Sequence, residues 1–172
     1  MSEAETAPAG ASEITAAVLV IGDEILSGRT PDTNSGYIAT VMTGLGIRLR
    51  EVRVVGDVEA EIIAGLNALR RRYTYVFTTG GIGPTHDDIT ADAVAAAFGL
   101  QITESPEALA MLARRAGNTP LNPARRRMSR VPVGAALIEN NVSDAPGFQV
   151  ANVFVLAGVP RIMRAMLAAL RP

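Results

Sequence analysis

Cysteine is absent from the 172 residues, which excludes disulfides, thiolate metal sites and cysteine nucleophiles together. Lysine is absent as well, and all sixteen basic residues are arginine. That removes Schiff-base chemistry and the phosphate-binding lysine of a P-loop. Histidine occurs once, at His86, and no Ser-His-Asp arrangement can be defended from spacing alone. The three tyrosines and four phenylalanines show none of the interleaving with arginine that single-stranded nucleic acid binders use. A net charge of -1 gives no general pull towards nucleic acid, so no such partner is expected. No apolar run approaches the ~20 residues of a membrane helix. Residues 1–13 are small, polar and acidic, without the basic-then-apolar pattern of a signal peptide. They read as a disordered, solvated tail, with the cytoplasm as the expected location and no membrane partner.

What is present is the composition of an ordered globule. Hydrophobic residues make up 48% of the chain, and residues 14–172 are long enough to bury a core as one domain. The run 16–21 (AAVLVI), halted by Gly22, reads as a strand buried on both faces. Apolar residues at Tyr37, Ile38, Val41, Met42 and Leu45 recur at the spacing of one helical face. Residues 47–55 alternate, with a slip between Leu49 and Val52, and predict a second strand ending at Gly56-Asp57. A helix over 59–72, a strand over 73–79 and a helix over 90–98 stopped by Gly99 follow. Helices are also predicted over 106–116, with Ser105 as cap, over 122–128, and over 159–170. A strand over 135–138 and a hairpin of 148–150 with 153–156 complete the pattern. Alternating strands and helices are the grammar of an α/β fold with a mainly parallel sheet and helices on both faces, here with a C-terminal hairpin and helix.

Ligands of such sheets bind beyond the carboxyl ends of the strands. The first three strands each end in glycine followed closely by acid: Gly22-Asp23-Glu24, Gly56-Asp57, and Gly80-Gly81-Ile82-Gly83 before Asp87-Asp88. Consecutive glycine amides can form an anion-binding nest, and a helix beginning near Asp88 adds its positive end, which favours phosphate. Carboxylates beside a phosphate cradle call for Mg²⁺ or another divalent metal to offset the charge, which makes Asp57 and Asp88 the candidate catalytic residues and metal ligands. The bland alternatives are a turn residue for Asp57 and a helix cap for Asp88. Asp87 and Asp92 are weaker candidates, and His86 is read as a local hydrogen-bonding residue. Of the two arginine clusters, 70–72 reads as a solvated helix end; 125–127 is open between that role and phosphate binding.

Several segments in this order resemble the molybdopterin-binding (MoaB/Mog-like) domain family: Gly22-Asp23-Glu24-Ile25-Leu26, Gly28, Thr33-Asn34, Val55-Gly56-Asp57, the run 78–90 (TTGGIGPTHDDIT), Ala145-Pro146-Gly147-Phe148 and Gly158-Val159-Pro160. The branch they look most like is the amino-terminal domain of CinA proteins, over about residues 16–170. The resemblance implies a three-layer α/β/α sandwich, a pterin or nucleotide ligand such as molybdopterin, and a homo-oligomer, dimer or trimer. Asp23 and Glu24 read either as positioning metal or ligand or as loop caps, and with the resemblance the ligand- or phosphate-binding positions are Gly22, Asp23, Glu24, Gly28, Asn34, Thr79, Gly80, Gly81, Gly83, Pro84 and Thr90.

Two enzyme activities follow from the resemblance, and Asp57 with Asp88 fits both. One is divalent-metal-dependent hydrolysis of a nucleotide pyrophosphate such as ADP-ribose or FAD. The other is molybdopterin adenylyl transfer in molybdenum cofactor biosynthesis. A non-catalytic pterin- or nucleotide-binding module is the third reading. CinA proteins usually continue into a domain associated with pyridine-nucleotide amide hydrolysis; the sequence ends at Pro172, so that activity is not expected of it. Ile162 stands where the family carries an acidic residue, and residues 140–144 (NNVSD) also depart from its pattern.

Overall fold

The computed structural model describes residues 13–117 and 119–170. Apart from Glu13, the tail expected over 1–13 lies outside the described residues. Four parallel strands form the middle of the molecule: β1 (Thr15–Ile21), β2 (Arg48–Val55), β3 (Tyr75–Thr79) and β8 (Val153–Leu156). The sheet order is β2-β1-β3-β8-β7-β6, with β7 (Gly147–Val150) and β6 (Ala136–Ile138) added antiparallel to their neighbours.

Helices cover both faces. Leu19 and Ile21 of β1 point to one side, where they meet Ile62, Leu66 and Leu69 of α3 (Glu59–Arg72) and Ala93 and Val94 of α4 (Thr90–Phe98). Val18 and Val20 point to the other, where they meet Ile38 and Met42 of α2 (Asn34–Gly44) and Met163, Met166 and Leu167 of α7 (Pro160–Ala169). A strand that buries both faces needs apolar residues at every position, which accounts for the unbroken AAVLVI run. The result is a three-layer α/β/α sandwich.

The slip in the second strand is a bulge: Ala16 pairs with Leu49 but Ala17 with Glu51. It lets Leu49 face the α2 side while Glu51 and Arg53, two residues apart, turn to the other. Val52 and Val54 are left exposed on this edge strand.

The helices begin and end where local chemistry dictates. Ser105 accepts a hydrogen bond from the Ala108 N–H at the start of α5 (Pro106–Ala116), and Asn122 does the same for Arg125 at α6 (Pro123–Arg127). Gly99 ends α4 in the left-handed conformation. Three elements lie outside the sequence expectations: α1 (Asp23–Leu26) and the antiparallel pair β4 (Ile102–Glu104) with β5 (Arg130–Pro132). No helix among the described residues is long and apolar enough to cross a membrane.

Candidate functional site

Because β1, β2, β3 and β8 are parallel, their carboxyl ends lie at one edge, and each delivers a glycine there: Gly22, Gly56, Gly80 and Gly158. The chain leaves β1 for β2 on one side and returns to β3 on the other, so the edge between β1 and β3 is a topological switch point, where α/β sheets bind ligands. The close approach of backbone here demands glycine. Gly80 has φ +102° and a Cβ on it would meet the Ile21 carbonyl oxygen; Gly81 has φ +68° and its Cβ would meet Thr90 Oγ1.

Two adjoining hollows occupy this edge. The larger, an open cleft of about 450 Å³, is lined by Ile21, Asp23, Glu24, Arg29, Asp57, Gly81, Thr85, Asp87 and Asp88. The loops after β1, β2 and β3 therefore do converge, and Asp57 and Asp88 share one cleft. Asp57 is held by Asp23, each backbone N–H donating to the other's carboxylate. Asp88 Oδ2 accepts from the Thr85 N–H at 2.8 Å and the Thr85 hydroxyl at 2.6 Å. Asp88 is consequently no helix cap: α4 begins two residues later, entered from Ile89 without a side-chain cap.

The smaller hollow, about 50 Å³, reaches Glu24, Thr30, Asp32, Asn34, Thr79, Gly80 and Gly158. Asn34 Nδ2 donates to the Gly158 carbonyl at 2.8 Å. Among the described residues Asn34 Oδ1 and Thr79 Oγ1 have no hydrogen-bond partner, although the two residues are only 6% and 1% exposed. Buried polar atoms without partners are rare, because each costs about 1–3 kcal/mol.

The remaining expected residues fare differently. Gly22, Gly28, Pro84 and Thr90 line neither hollow. Thr90 is fully buried and donates from Oγ1 to the Gly80 carbonyl at 3.0 Å, so it shapes the glycine turn from beneath. Gly28 is a turn residue with φ +73°. Gly83 lies beside the Asp88 carboxylate, on the far side of the turn. The expected nest is also smaller by one amide, because the Gly80 N–H donates to the Leu156 carbonyl. Asp92 is engaged with Arg130 at 2.7 Å, and His86 pairs with Asp87 at 2.9 Å in solvent. In the 125–127 cluster, Arg126 holds Glu104 through two hydrogen bonds and Arg127 lies 3.9 Å from Asp92, both structural ties. Ile162 packs against the α2–α7 core, as an apolar residue at that position should.

Reasoning from sequence missed Arg29 and Thr85 in the cleft and Thr30 and Asp32 in the pocket. Asp32 carried a readable signal, since an aspartate just before a helix takes free N–H groups of its first turn, here those of Asn34 and Ser35 of α2. A lone arginine in a loop carries none.

The donor set of the cleft is all oxygen, which suits a hard cation. Among the described residues no three His, Cys, Asp or Glu side chains are grouped closely enough to cage a metal. Without such a cage, a hard cation here would take one or two carboxylates, which Asp57 and Asp88 could supply, and would complete its shell with water and ligand phosphate.

Residues 17–172 match a family described as a probable molybdopterin binding domain. A CinA-like protein of Syntrophotalea carbinolica is 37% identical over 157 residues, covering 88% of this chain and 38% of that protein. A protein of Saccharolobus islandicus strain M.16.27 is 38% identical over 159 residues, covering 88% and 60%. The chain thus spans roughly two to three fifths of the length of these curated relatives. Among solved structures, the CinA protein of Thermoplasma acidophilum, described as of unknown function, superposes with a TM-score of 0.85 at 36% identity, covering 91% of this chain and 95% of that one. The molybdopterin biosynthesis enzyme MoaB of Thermus thermophilus shares the fold, with a TM-score of 0.59 at 22% identity and coverage of 91% and 88%.

Proposed function

The chain belongs to the molybdopterin-binding domain family, in its CinA-like branch, and within it we propose that this protein binds a pterin or nucleotide phosphate with a divalent metal and hydrolyses a nucleotide pyrophosphate such as ADP-ribose or FAD. The observation that carries this reading is the convergence of Asp57 and Asp88 on one open cleft beside the Gly81 turn. Asp57 and Asp88 would hold the metal, which when bound supplies charge neutralisation at the phosphates and a water of lowered pKa. The amide of Gly81, which lines the cleft, would donate to a phosphate oxygen, as its left-handed conformation supports. Asp23 keeps the Asp57 carboxylate in place through the paired backbone contacts.

The small pocket supports a heterocycle at the other end of the ligand. Glu24, Asp32 and Asn34 line the pocket and bring acceptor oxygens, of which Asn34 Oδ1 has no partner among the described residues. Such a pocket suits the amino or N–H edge of a pterin or adenine.

Incubation with ADP-ribose or FAD and Mg²⁺, Mn²⁺ or Co²⁺ tests the hydrolase reading. Cleavage that disappears in Asp57→Asn and Asp88→Asn supports it, and no cleavage with any metal defeats it. Rescue of a strain lacking molybdopterin adenylyl transfer would select the transferase instead. Tight binding without product would select a carrier module. A homo-oligomer remains part of the proposal, supported by exposed Val52 and Val54 on the edge strand β2.

A further inference from the structure

The cleft is lined by five carboxylates, those of Asp23, Glu24, Asp57, Asp87 and Asp88, and by one cation, Arg29. Among the described residues Arg29 forms no ion pair, with these acids or any other, whereas Arg126 and Arg130 elsewhere close tightly on Glu104 and Asp92. It is not loose. Its Nε donates to Ser27 Oγ at 3.1 Å, and Ser27 Oγ in turn donates to the Glu24 carbonyl at 3.3 Å. The same carbonyl accepts from the Thr30 N–H at 3.1 Å, which closes the loop 24–30 around the turn at Gly28. The guanidinium is therefore tethered by Nε while its two terminal amino groups make no hydrogen bond among the described residues.

An acid-lined cleft repels an anion, and a single metal ion leaves much of that repulsion in place. A guanidinium presents a planar fork of donors that matches two phosphate oxygens at once, which a point-charge ammonium does not. We propose that Arg29 is the specificity-determining residue for the charge of the ligand: its terminal amino groups take phosphate oxygens that the metal does not, so the cleft selects a nucleoside or pterin phosphate over its uncharged parent. Ser27 is the positioning residue that aims the fork. This inference rests on the reading of the cleft as a phosphate site and adds which side chain reads the charge.

Calorimetric titration of the protein with ADP-ribose, used as its α,β-methylene analogue that the proposed hydrolysis cannot cleave, and with adenosine, each in the presence of Mg²⁺, tests it in wild type, Arg29→Ala and Arg29→Lys. The Ala variant is expected to bind ADP-ribose about tenfold or more weakly, the size of losing a charge-assisted hydrogen-bond pair, with a shallower salt dependence and unchanged affinity for adenosine. The Lys variant is expected to recover the charge but only part of the affinity. Unaltered binding of ADP-ribose by Arg29→Ala overturns the assignment to Arg29 and leaves the phosphate site standing. An equal loss for adenosine overturns it as well, since that marks a merely structural role. Absence of ADP-ribose binding by the wild type overturns both.

Discussion

Asp23 and Asp57 hold each other by a reciprocal pair of hydrogen bonds: the Asp23 N–H donates to Asp57 Oδ2 at 3.0 Å, and the Asp57 N–H donates to Asp23 Oδ1 at 3.2 Å. The pair ties the turn after β1 to the turn after β2. It also explains Gly56, because a Cβ there would lie 2.6 Å from Asp23 Oδ1. Asp23→Ala removes one acceptor and frees the Asp57 turn. The expected loss is about 1 kcal/mol of stability in urea denaturation, with weaker nucleotide binding in Mg²⁺. Asp23→Asn keeps an acceptor oxygen and should retain most of both. An alanine variant unchanged in stability and affinity would show that the bridge organises nothing.

The glycine turn rests on Thr90. Its hydroxyl donates to the Gly80 carbonyl and its backbone N–H to the Gly81 carbonyl. Thr90→Val keeps the shape and strands that carbonyl in the interior, at an expected cost of about 1–3 kcal/mol by thermal or denaturant unfolding. Thr90→Ser should cost much less. Near-equal stability of the Val and Ser variants would contradict this role.

Gly80→Ala should be worse. The residue would have to adopt φ +102° with its methyl group against the Ile21 carbonyl. A destabilisation of at least about 2 kcal/mol is expected, measurable as a lowered denaturant midpoint. A variant as stable as wild type would mean the turn can relax.

Glu51 should govern part of the acid limb of stability. Hydrogen bonds from Arg53, and then from the Tyr73 hydroxyl at 2.7 Å, hold its carboxyl below the ordinary 4.5. A depressed folded value means the contribution is complete above the ordinary carboxylate range and is lost as pH falls through the lower folded value. Glu51→Gln should therefore be less stable than wild type at pH 7, by about 1 kcal/mol for a partly exposed group. The gap should narrow steadily below pH 4.5. A gap independent of pH would assign the effect to shape, not charge.

What the sequence reveals follows the range of the forces involved. The bounds of α3, α4 and α5 are legible because caps, glycine stops and apolar spacing act within a few residues: Ser105-Pro106 opens α5 and Gly99 closes α4. The strands β4 and β5 were not legible. Each has three residues, and they exist through pairing between Ile102 and Pro132 and between Glu104 and Arg130, far apart in the chain. The four-residue α1 likewise depends on the distant Asp57, which holds the Asp23 N–H at its start.

At the site, the convergence of Asp57 and Asp88 was legible because parallel strands must end at one edge. The orientation of each side chain was not. Asp88 turns back onto Thr85 in preference to capping α4, and Asn34 gives its nitrogen to the Gly158 carbonyl across 124 residues of chain. Such choices are made by partners that spacing does not reveal.

Diffraction from crystals soaked with ADP-ribose and Mn²⁺ tests the central claim most directly, since the anomalous signal of manganese locates the metal independently of the ligand. The expected result is manganese coordinated by Asp57, Asp88 or both, with a phosphate oxygen against the amide of Gly81. Manganese and phosphate bound away from this edge, or a ligand seated instead in the apolar groove between Tyr75, Phe154 and Leu170, would contradict it.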